Sequence, residues 1–132
     1  MMDNEDSSFN FLEAGNYVIA ELKRESEGLR NLQLALDLMA EAAYAGAPHI
    51  IVQADQLPNS FFDLSSKIAG EILQKFAQYQ VRLAIIGDFA KFESQALKAF
   101  IAESNRGDQI FFVADKEQAI NRLSYLAFPP LH

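Results

Sequence analysis

The sequence predicts one α/β domain over residues 1–132, with about five strands in a mostly parallel sheet, an N-terminal hairpin and about four helices. Its 132 residues are 50% hydrophobic and 22% charged, which is enough apolar material for a single core. Short apolar, β-branched runs alternate with longer segments whose apolar residues recur at helical spacing. Turn and capping residues separate these segments.

The first elements predict a frayed end followed by a hairpin. Residues 1–8 carry three acidic side chains and little to bury, so we expect them to be disordered. Phe9–Leu12 and Tyr17–Leu22 are short apolar runs, and Gly15-Asn16 between them supplies hairpin turn chemistry. A charged loop then follows over residues 23–30.

The first helix and the next strand have clear boundaries. Asn31 is suited to cap a helix that starts at Leu32, and Gly46 followed by Pro48 is a typical stop signal. Residues 49–54, HIIVQA, form a short β-branched run that predicts a buried strand.

The segment Gln56–Gln80 contains the most amphipathic pattern of the chain. We expect its helix to run to Tyr79 and to place Ser65 and Ser66 in its first turn. On a helical wheel Ser65 points into the apolar arc and Ser66 lies at its edge, which predicts that Ser66 is the more accessible hydroxyl. Gly70 in the interior suggests a close approach by another backbone or by a partner.

A strand and a helix follow this segment. Residues 81–87, VRLAIIG, predict a buried strand near the centre of the sheet. Residues 92–106 predict a helix that Gly107 stops. Its inward-facing residues are expected to be Ala96, Leu97, Phe100 and Ile101.

The chain ends with one more strand, one more helix and a tail. Residues 109–114, QIFFVA, predict the last strand. Asp115 followed by Gln118 has the spacing of a capping box at the start of the last helix. Because Pro129-Pro130 cannot continue a helix, residues 124–132 are expected to form an irregular tail.

Composition excludes several function classes. Without Cys, and with only two His, disulfides, thiolate zinc sites and histidine metal clusters are not expected. A net charge of -7 argues against nucleic acid, and no apolar run reaches membrane-spanning length. No phosphate loop, dinucleotide fingerprint or nucleophile elbow is present, so no cofactor is predicted. A cytoplasmic protein is the expectation.

Function in parallel sheets concentrates in the loops after the strands, which here are residues 55–66, residues 87–92 and the region of Asp115. Ser66 is a candidate for phosphorylation, because a helix N-terminus and the adjacent Lys67 would favour a phosphate. The alternative is that Asp63, Ser65 or Ser66 simply caps the helix. The candidate partner-binding residues around this position are Phe61, Phe62, Asp63, Ser66, Lys67 and Gly70.

Acidic residues follow several strands and give a second hypothesis. Asp55, Asp63, Asp88 and Asp115 could converge to hold Mg²⁺, or one of them could accept a phosphoryl group. The alternative is that they cap helices and form turns, which fits Asp115 well. His49 opens a buried strand without an obvious catalytic partner, so we interpret it as structural.

The order of elements resembles that of the STAS domain, the fold of anti-sigma-factor antagonists, over nearly the whole chain. In that family an Asp-Ser-Ser-Gly motif opens the helix after a strand, and its second Ser is phosphorylated. The segment from Asp63 to Gly70, DLSSKIAG, is similar and matches that Ser with Ser66. It differs by an inserted Leu64 and by Lys67 in the place of Gly.

A closer resemblance is carried by the motifs FFDL, AGEILQKF, LAIIGDF and ESNRG. These are similar to a small bacterial family of unknown function, over roughly Ala35 to Leu123. That resemblance implies the fold and brings no catalytic residues.

The sequence therefore favours a non-enzymatic, regulatory protein-interaction module, STAS-like and switched by phosphorylation at Ser66, with a protein partner and with a homodimer left open. The alternative is a Mg²⁺-dependent enzyme or phosphoacceptor that uses Asp55, Asp63 and Asp88.

Overall fold

The computed structural model describes residues 7–14, 17–26 and 28–127. Its strands are β1 (Phe9–Ala14), β2 (Tyr17–Leu22), β3 (His49–Gln53), β4 (Arg82–Ile86) and β5 (Ile110–Val113). Its helices are α1 (Leu32–Tyr44), α2 (Ile68–Gln78), α3 (Gln95–Arg106) and α4 (Lys116–Ala127). The predicted α/β class, with five strands and four helices in one domain, is confirmed.

The five strands form one sheet in sequence order, β1-β2-β3-β4-β5. β1 pairs with β2 in the antiparallel sense, with Phe9 opposite Leu22, and the other neighbouring pairs are parallel. The predicted N-terminal hairpin is thus present, whereas its turn residues Gly15 and Asn16 lie outside the described residues. β1 and β5 are the two edges of the sheet.

The two faces of the sheet carry different layers. Because parallel strands in sequence order are joined by crossovers of one hand, all three connecting helices, α1 to α3, lie on one face. The larger core lies there, and residues from β1 to β5 pack in it against apolar residues of these helices. The smaller core on the opposite face packs the alternate strand residues against Ala119 and Leu123 of α4.

The ends of α1 are as the sequence predicts. The Asn31 side chain accepts a hydrogen bond from the Leu34 backbone N–H at 2.9 Å. At the other end Gly46 has a φ of +80°, and the Ala47 N–H bonds back to the Ala42 carbonyl at 2.9 Å. This is the left-handed glycine stop that satisfies the last carbonyls of a helix.

Two predicted helix boundaries are wrong. α3 begins at Gln95 rather than at residue 92, because the Ser94 hydroxyl caps it by accepting the Leu97 N–H at 3.1 Å. Ala96, predicted to face inward, is exposed in this first turn, whereas Leu97 is buried. α4 continues through Ala127, so the irregular tail does not start at residue 124, and residues 128–132 lie outside the described residues.

The prediction that residues 1–8 are disordered is wrong for Ser7 and Ser8, which make defined hydrogen bonds. The Ser7 hydroxyl donates to the Glu41 carboxylate at 2.6 Å, and the Ser8 N–H donates to the same oxygen at 2.8 Å. These two bonds hold the start of β1 against α1. Residues 1–6 lie outside the described residues.

A buried amide organises the loops after β2 and β3. The Gln56 side chain accepts the Gln53 N–H and donates to the Lys23 carbonyl, each at 2.8 Å. Gly28, with a φ of +80°, lets the neighbouring Leu29 N–H reach the Gln56 carbonyl at 2.9 Å. A Cβ on Gly28 would lie 2.4 Å from that carbonyl oxygen, so this position requires glycine.

Candidate functional site

The serines of the Gln56–Gln80 segment lie before α2 and not in its first turn. Three short 3₁₀ turns lead from β3 to the helix, and the last of them covers Leu64–Ser66. Lys67 then takes a left-handed conformation with a φ of +67°, and α2 starts at Ile68. The prediction of one continuous helix through Ser65 and Ser66 is therefore wrong.

The Ser66 hydroxyl bridges two backbone groups. It donates to the Ser60 carbonyl at 2.6 Å and accepts the Ile68 N–H at 3.2 Å. The residue is half-buried. Ser66 thus binds the first N–H of α2 from just before its N-cap residue, Lys67, and links the helix to the preceding 3₁₀ turn. Of the three candidate caps Asp63, Ser65 and Ser66, it is the one whose side chain contacts the helix.

Ser65 is the more exposed of the two serines, contrary to the prediction. Its hydroxyl donates to an Asp63 carboxylate oxygen at 2.6 Å, and the same oxygen accepts the Ser65 N–H at 3.1 Å. The helical wheel placed Ser65 in the apolar arc because the helix was expected to extend back to Leu64. The left-handed Lys67 breaks that phase.

Of the two predicted partner-binding phenylalanines, only Phe62 reaches the surface. Phe61 is 0% exposed and belongs to the larger core, so its prediction as a partner-binding residue is wrong. Phe62 is half-buried, and its ring lies edge-on to that of Phe61 with 5.1 Å between centroids. In a 3₁₀ turn two adjacent side chains diverge, and here the turn packs Phe61 against the core.

Phe62 is one of three half-buried rings that join the loops after β3 and β4. It stacks on Phe92 with ring centroids 5.1 Å apart, and Phe89 lies 6.4 Å from Phe92. The Lys91 ammonium lies 5.5 Å from the centre of the Phe92 ring. Sequence reasoning did not single out Phe89 or Phe92, although two aromatic residues in a loop after a strand are a usable signal.

The remaining predicted docking residues are accessible. Asp63, Lys67 and Gly70 are all exposed. A Cβ built on Gly70 meets no atom within 4 Å, so no described neighbour explains the glycine. Docking at these residues stays a prediction.

The candidate metal ligands are engaged in local contacts. Asp55 forms a two-pronged ion pair with Arg24, at 2.7 and 2.9 Å, and these hydrogen bonds lower the pKa of Asp55. Asp88 accepts the Ala90 N–H at 3.2 Å, and Asp63 caps its own turn as described above. Over residues 7–14, 17–26 and 28–127, no three His, Asp or Glu side chains converge in a way that could hold a metal ion.

Asp115 has the predicted capping role. Its carboxylate accepts the Gln118 N–H at 2.8 Å. The Gln118 side chain bonds back to the Ala114 N–H at 3.0 Å, one residue before the position that a capping box requires.

His49, at the start of β3, is a buried polar residue without a hydrogen-bond partner. Its ring is 1% exposed, and neither ring nitrogen has a partner. Burial, followed by the positive charge of Arg82, lowers the pKa of His49 to about 4. The neutral form is favoured at neutral pH, and this agrees with the structural interpretation.

The most exposed apolar side chains lie at the opposite end of the molecule from Ser66. Among the described residues the large hydrophobic side chains with high exposure are three tyrosines: Tyr44 at 87%, Tyr79 at 57% and Tyr17 at 36%. They lie at the end of α1, just after α2 and at the start of β2. Tyr79 also lines two adjoining depressions, one along α1 and one reaching Tyr17.

We call this surface the tyrosine groove. The depression along α1 has a volume of about 320 Å³ and is almost entirely apolar. Its lining consists of Leu36, Met39, Ala40, Ala43, Tyr79 and Val81. The adjoining depression adds Tyr17, Val18 and the Gly46–Pro48 turn. Sequence reasoning missed the groove, because its walls come from segments about forty residues apart.

Comparison with known proteins assigns the chain to a protein family. Residues 14–123 match a family model described as a domain of unknown function, DUF4180. The chain belongs to the DUF4180 family. No curated protein and no solved structure matches it.

The DUF4180 match covers the tyrosine groove, Ser66 and the aromatic loops, and it confirms the predicted membership in a family of unknown function. It begins at Ala14, the last residue of β1. No helix of the described DUF4180 residues is both long and apolar enough to cross a membrane.

Proposed function

We propose that this DUF4180 domain is a non-enzymatic protein-interaction module whose docking surface is the tyrosine groove. The observation that carries the proposal is the apolar depression lined by Tyr79, with the exposed Tyr17 in the adjoining depression and the exposed Tyr44 at the end of the same helix α1. Tyrosine supplies a large apolar area with a polar tip at low entropic cost, and it is enriched where proteins bind one another.

The shape of the groove favours a helical partner segment. Four residues of α1 line one wall of the depression, and Tyr79 and Val81, which follow α2, line the other, so the depression runs along α1. Ala40 and Ala43 are short side chains on its α1 wall, so the backbone of a third helix could approach closely. An amphipathic helix laid into a hydrophobic groove is a recurring mode of recognition.

Charge sets the second property of the partner. The chain has a net charge of -7, which favours a positively charged partner. We therefore propose a helix with an apolar face flanked by Lys or Arg. Opposite net charge raises the association rate and disfavours acidic competitors.

The experiment is affinity capture from the source cell with three versions of the full chain. Ala43→Arg places a long charged side chain in the groove at an exposed position, and Ala102→Arg makes the same change at an exposed position on α3. The proposal expects one set of proteins with the unmodified chain and with Ala102→Arg, and its loss with Ala43→Arg. Equal capture by all three versions would contradict it.

Phosphorylation at Ser66 remains a proposal about regulation. A phosphate on the Ser66 oxygen would remove the O–H that donates to the Ser60 carbonyl, and it would lie at the N-terminus of α2. A cognate kinase with ATP is expected to add one phosphate to the chain and none to Ser66→Ala. An unchanged intact mass in the presence of that kinase would refute the switch without touching the groove.

A STAS-like relationship is also kept as a proposal. The order of elements supports it, as does the left-handed Lys67, which occupies the position where the STAS motif has Gly. The Mg²⁺ alternative gains no support, since Asp55, Asp63 and Asp88 have the separate contacts described above.

A further inference from the structure

The outer edge of β1 presents a row of backbone groups whose direction the pairing fixes. The Lys23 N–H bonds to the Ser8 carbonyl at 2.9 Å, in the same register that pairs Phe9 with Leu22. Because antiparallel pairs alternate between bonded and non-bonded, Asn10 and Leu12 face β2, and Phe9, Phe11 and Glu13 point their backbone groups away from it.

The Phe9 N–H agrees with this assignment. It bonds to the Ser7 hydroxyl at 3.1 Å and not to β2. The carbonyl of Phe9 and both backbone groups of Phe11 and of Glu13 remain on the outer side. In the part of the chain that the structure describes, no strand lies beyond β1.

The other edge of the sheet is closed by a side chain. The Leu83 N–H bonds to the Gln109 carbonyl and the Gly87 N–H to the Val113 carbonyl, so Phe112 of β5 points outward. The Asn105 side-chain amide binds both backbone groups of Phe112: it accepts the Phe112 N–H at 2.7 Å and donates to the Phe112 carbonyl at 3.1 Å. β5 therefore cannot accept a further strand at this residue.

Among the described residues, Ser7 covers the Phe9 N–H and no side chain closes the β1 edge at Phe11 or Glu13 in this way. Its sequence, FNFLEA, contains no Pro, Gly or Lys, which are the residues that commonly block an edge strand. Phe11 and Leu12 at its centre are half-buried, one on each face of the sheet. A strand of this kind is a template for pairing with another strand.

We propose that β1 pairs with β1 of a second copy of this chain, in the antiparallel sense, with the two-fold axis at Phe11. In this register Phe11 lies opposite Phe11 of the second copy, and Glu13 lies opposite Phe9. The two Phe11 residues exchange two hydrogen bonds, and each Glu13 N–H reaches a Phe9 carbonyl, which makes four bonds while Ser7 keeps the Phe9 N–H.

The proposed register agrees with the side chains as well as the backbone. A two-fold axis through Glu13 would place two carboxylates directly opposite each other, which is unfavourable in a sheet. With the axis at Phe11, aromatic rings meet on the three-helix face and Asn10 lies beside Leu12 on the other. The result is a continuous ten-stranded sheet formed through β1. No residue of β1 lines the tyrosine groove, so this proposal does not rest on the proposed function.

The first test is the molar mass of the full chain by analytical ultracentrifugation over a concentration series. We expect a species of twice 14.8 kDa. Glu13→Pro removes an outward N–H and leaves the bonds to β2 intact, so this variant is expected to sediment as the monomer with a thermal melt that shows it folded. Glu13→Ala, which keeps the N–H, is expected to remain a dimer. A monomeric parent chain, or a Glu13→Pro variant that stays dimeric, would overturn the proposal.

The second test fixes the register and does not depend on the proline variant. Non-hydrogen-bonded antiparallel residues lie about 4.5 Å apart between Cα atoms, within disulfide range. Because the chain has no Cys, Asn10→Cys co-expressed with Leu12→Cys is expected to give a disulfide-linked dimer after oxidation. Neither variant alone is expected to do so. A cross-link with one variant alone, or none with the mixture, would refute this register.

Discussion

Ser65 and Ser66 are adjacent in sequence, yet only Ser66 joins two segments of backbone. Its hydroxyl links the Ser60 carbonyl to the Ile68 N–H, whereas Ser65 bonds only to the neighbouring Asp63. Hydrophobic periodicity could not separate them, because the conformation of Lys67 decides where the helix starts. A Gly at this position would have indicated a left-handed conformation, whereas a Lys does not.

Ser66→Ala is expected to destabilise the fold by about 1 kcal/mol, since the loss of a helix cap typically costs this much. Ser65→Ala is the matched control, and it is expected to change the free energy of unfolding by less than about 0.5 kcal/mol, as exposed substitutions usually do. Urea denaturation of the two variants beside the parent chain measures both. A larger loss in the free energy of unfolding for Ser65→Ala than for Ser66→Ala would contradict the role of Ser66 at the start of α2.

His49 makes stability depend on pH. The folded pKa of about 4 lies below the ordinary value of 6.5, so the unfolded chain binds this proton at a higher pH than the folded chain does. Stability is therefore greatest above about pH 6.5 and is lost as the pH falls towards 4. Between pH 7 and pH 5 we expect a loss of about 2 kcal/mol from this residue.

The measurement is urea denaturation at both pH values for the parent chain and for His49→Phe, which cannot take up the proton. The His49→Phe variant is expected to lose about 2 kcal/mol less of its free energy of unfolding between pH 7 and pH 5 than the parent chain does. An equal loss in both proteins would show that other groups produce the pH dependence.

At the scale of elements, strands and helices followed from the sequence more reliably than their first residues. The hairpin, the capped α1 and its Gly46 stop were predicted correctly, because local side chains determine them. The start of α2 was placed several residues too early, because 3₁₀ turns rich in apolar residues have nearly the same spacing as a helix. The start of α3 was placed three residues too early, because the cap is Ser94 rather than a residue before Phe92. The burial of Phe61 beside the more exposed Phe62 depends on packing that the sequence does not reveal.

Asn105 illustrates an element whose stability depends on one side chain of its neighbour. Asn105→Ala would leave the N–H and carbonyl of Phe112 without these bonds and would uncover the β5 edge. We expect a loss of about 2 kcal/mol in the free energy of unfolding and more aggregation on heating, measured by urea denaturation and light scattering. Asn121→Ala, an exposed position on α4, is the control and is expected to change neither.

At the scale of the whole molecule, the two ends of the sheet have different characters. The carboxyl ends of the parallel strands carry capping carboxylates, a buried amide and packed aromatic loops, all engaged in holding the fold. The amino ends carry the tyrosine groove, the larger exposed apolar surface. The sequence-based prediction placed the site at the carboxyl ends of the strands, since function usually concentrates there. It did not predict the groove, because the end of α1 and the residue after α2 are far apart in the sequence.

The most direct test of the account is site-specific photo-crosslinking in the source cell, with a photoreactive phenylalanine derivative in place of Tyr79 and, as control, in place of Asn121. If the tyrosine groove is the docking surface, a covalent adduct with a different polypeptide is expected at position 79 only. The cross-linked partner segment is expected to be an amphipathic helix with Lys or Arg beside its apolar face. An adduct with nothing but a second copy of this chain, or the same adducts from both positions, would contradict the assignment of the tyrosine groove as the docking surface.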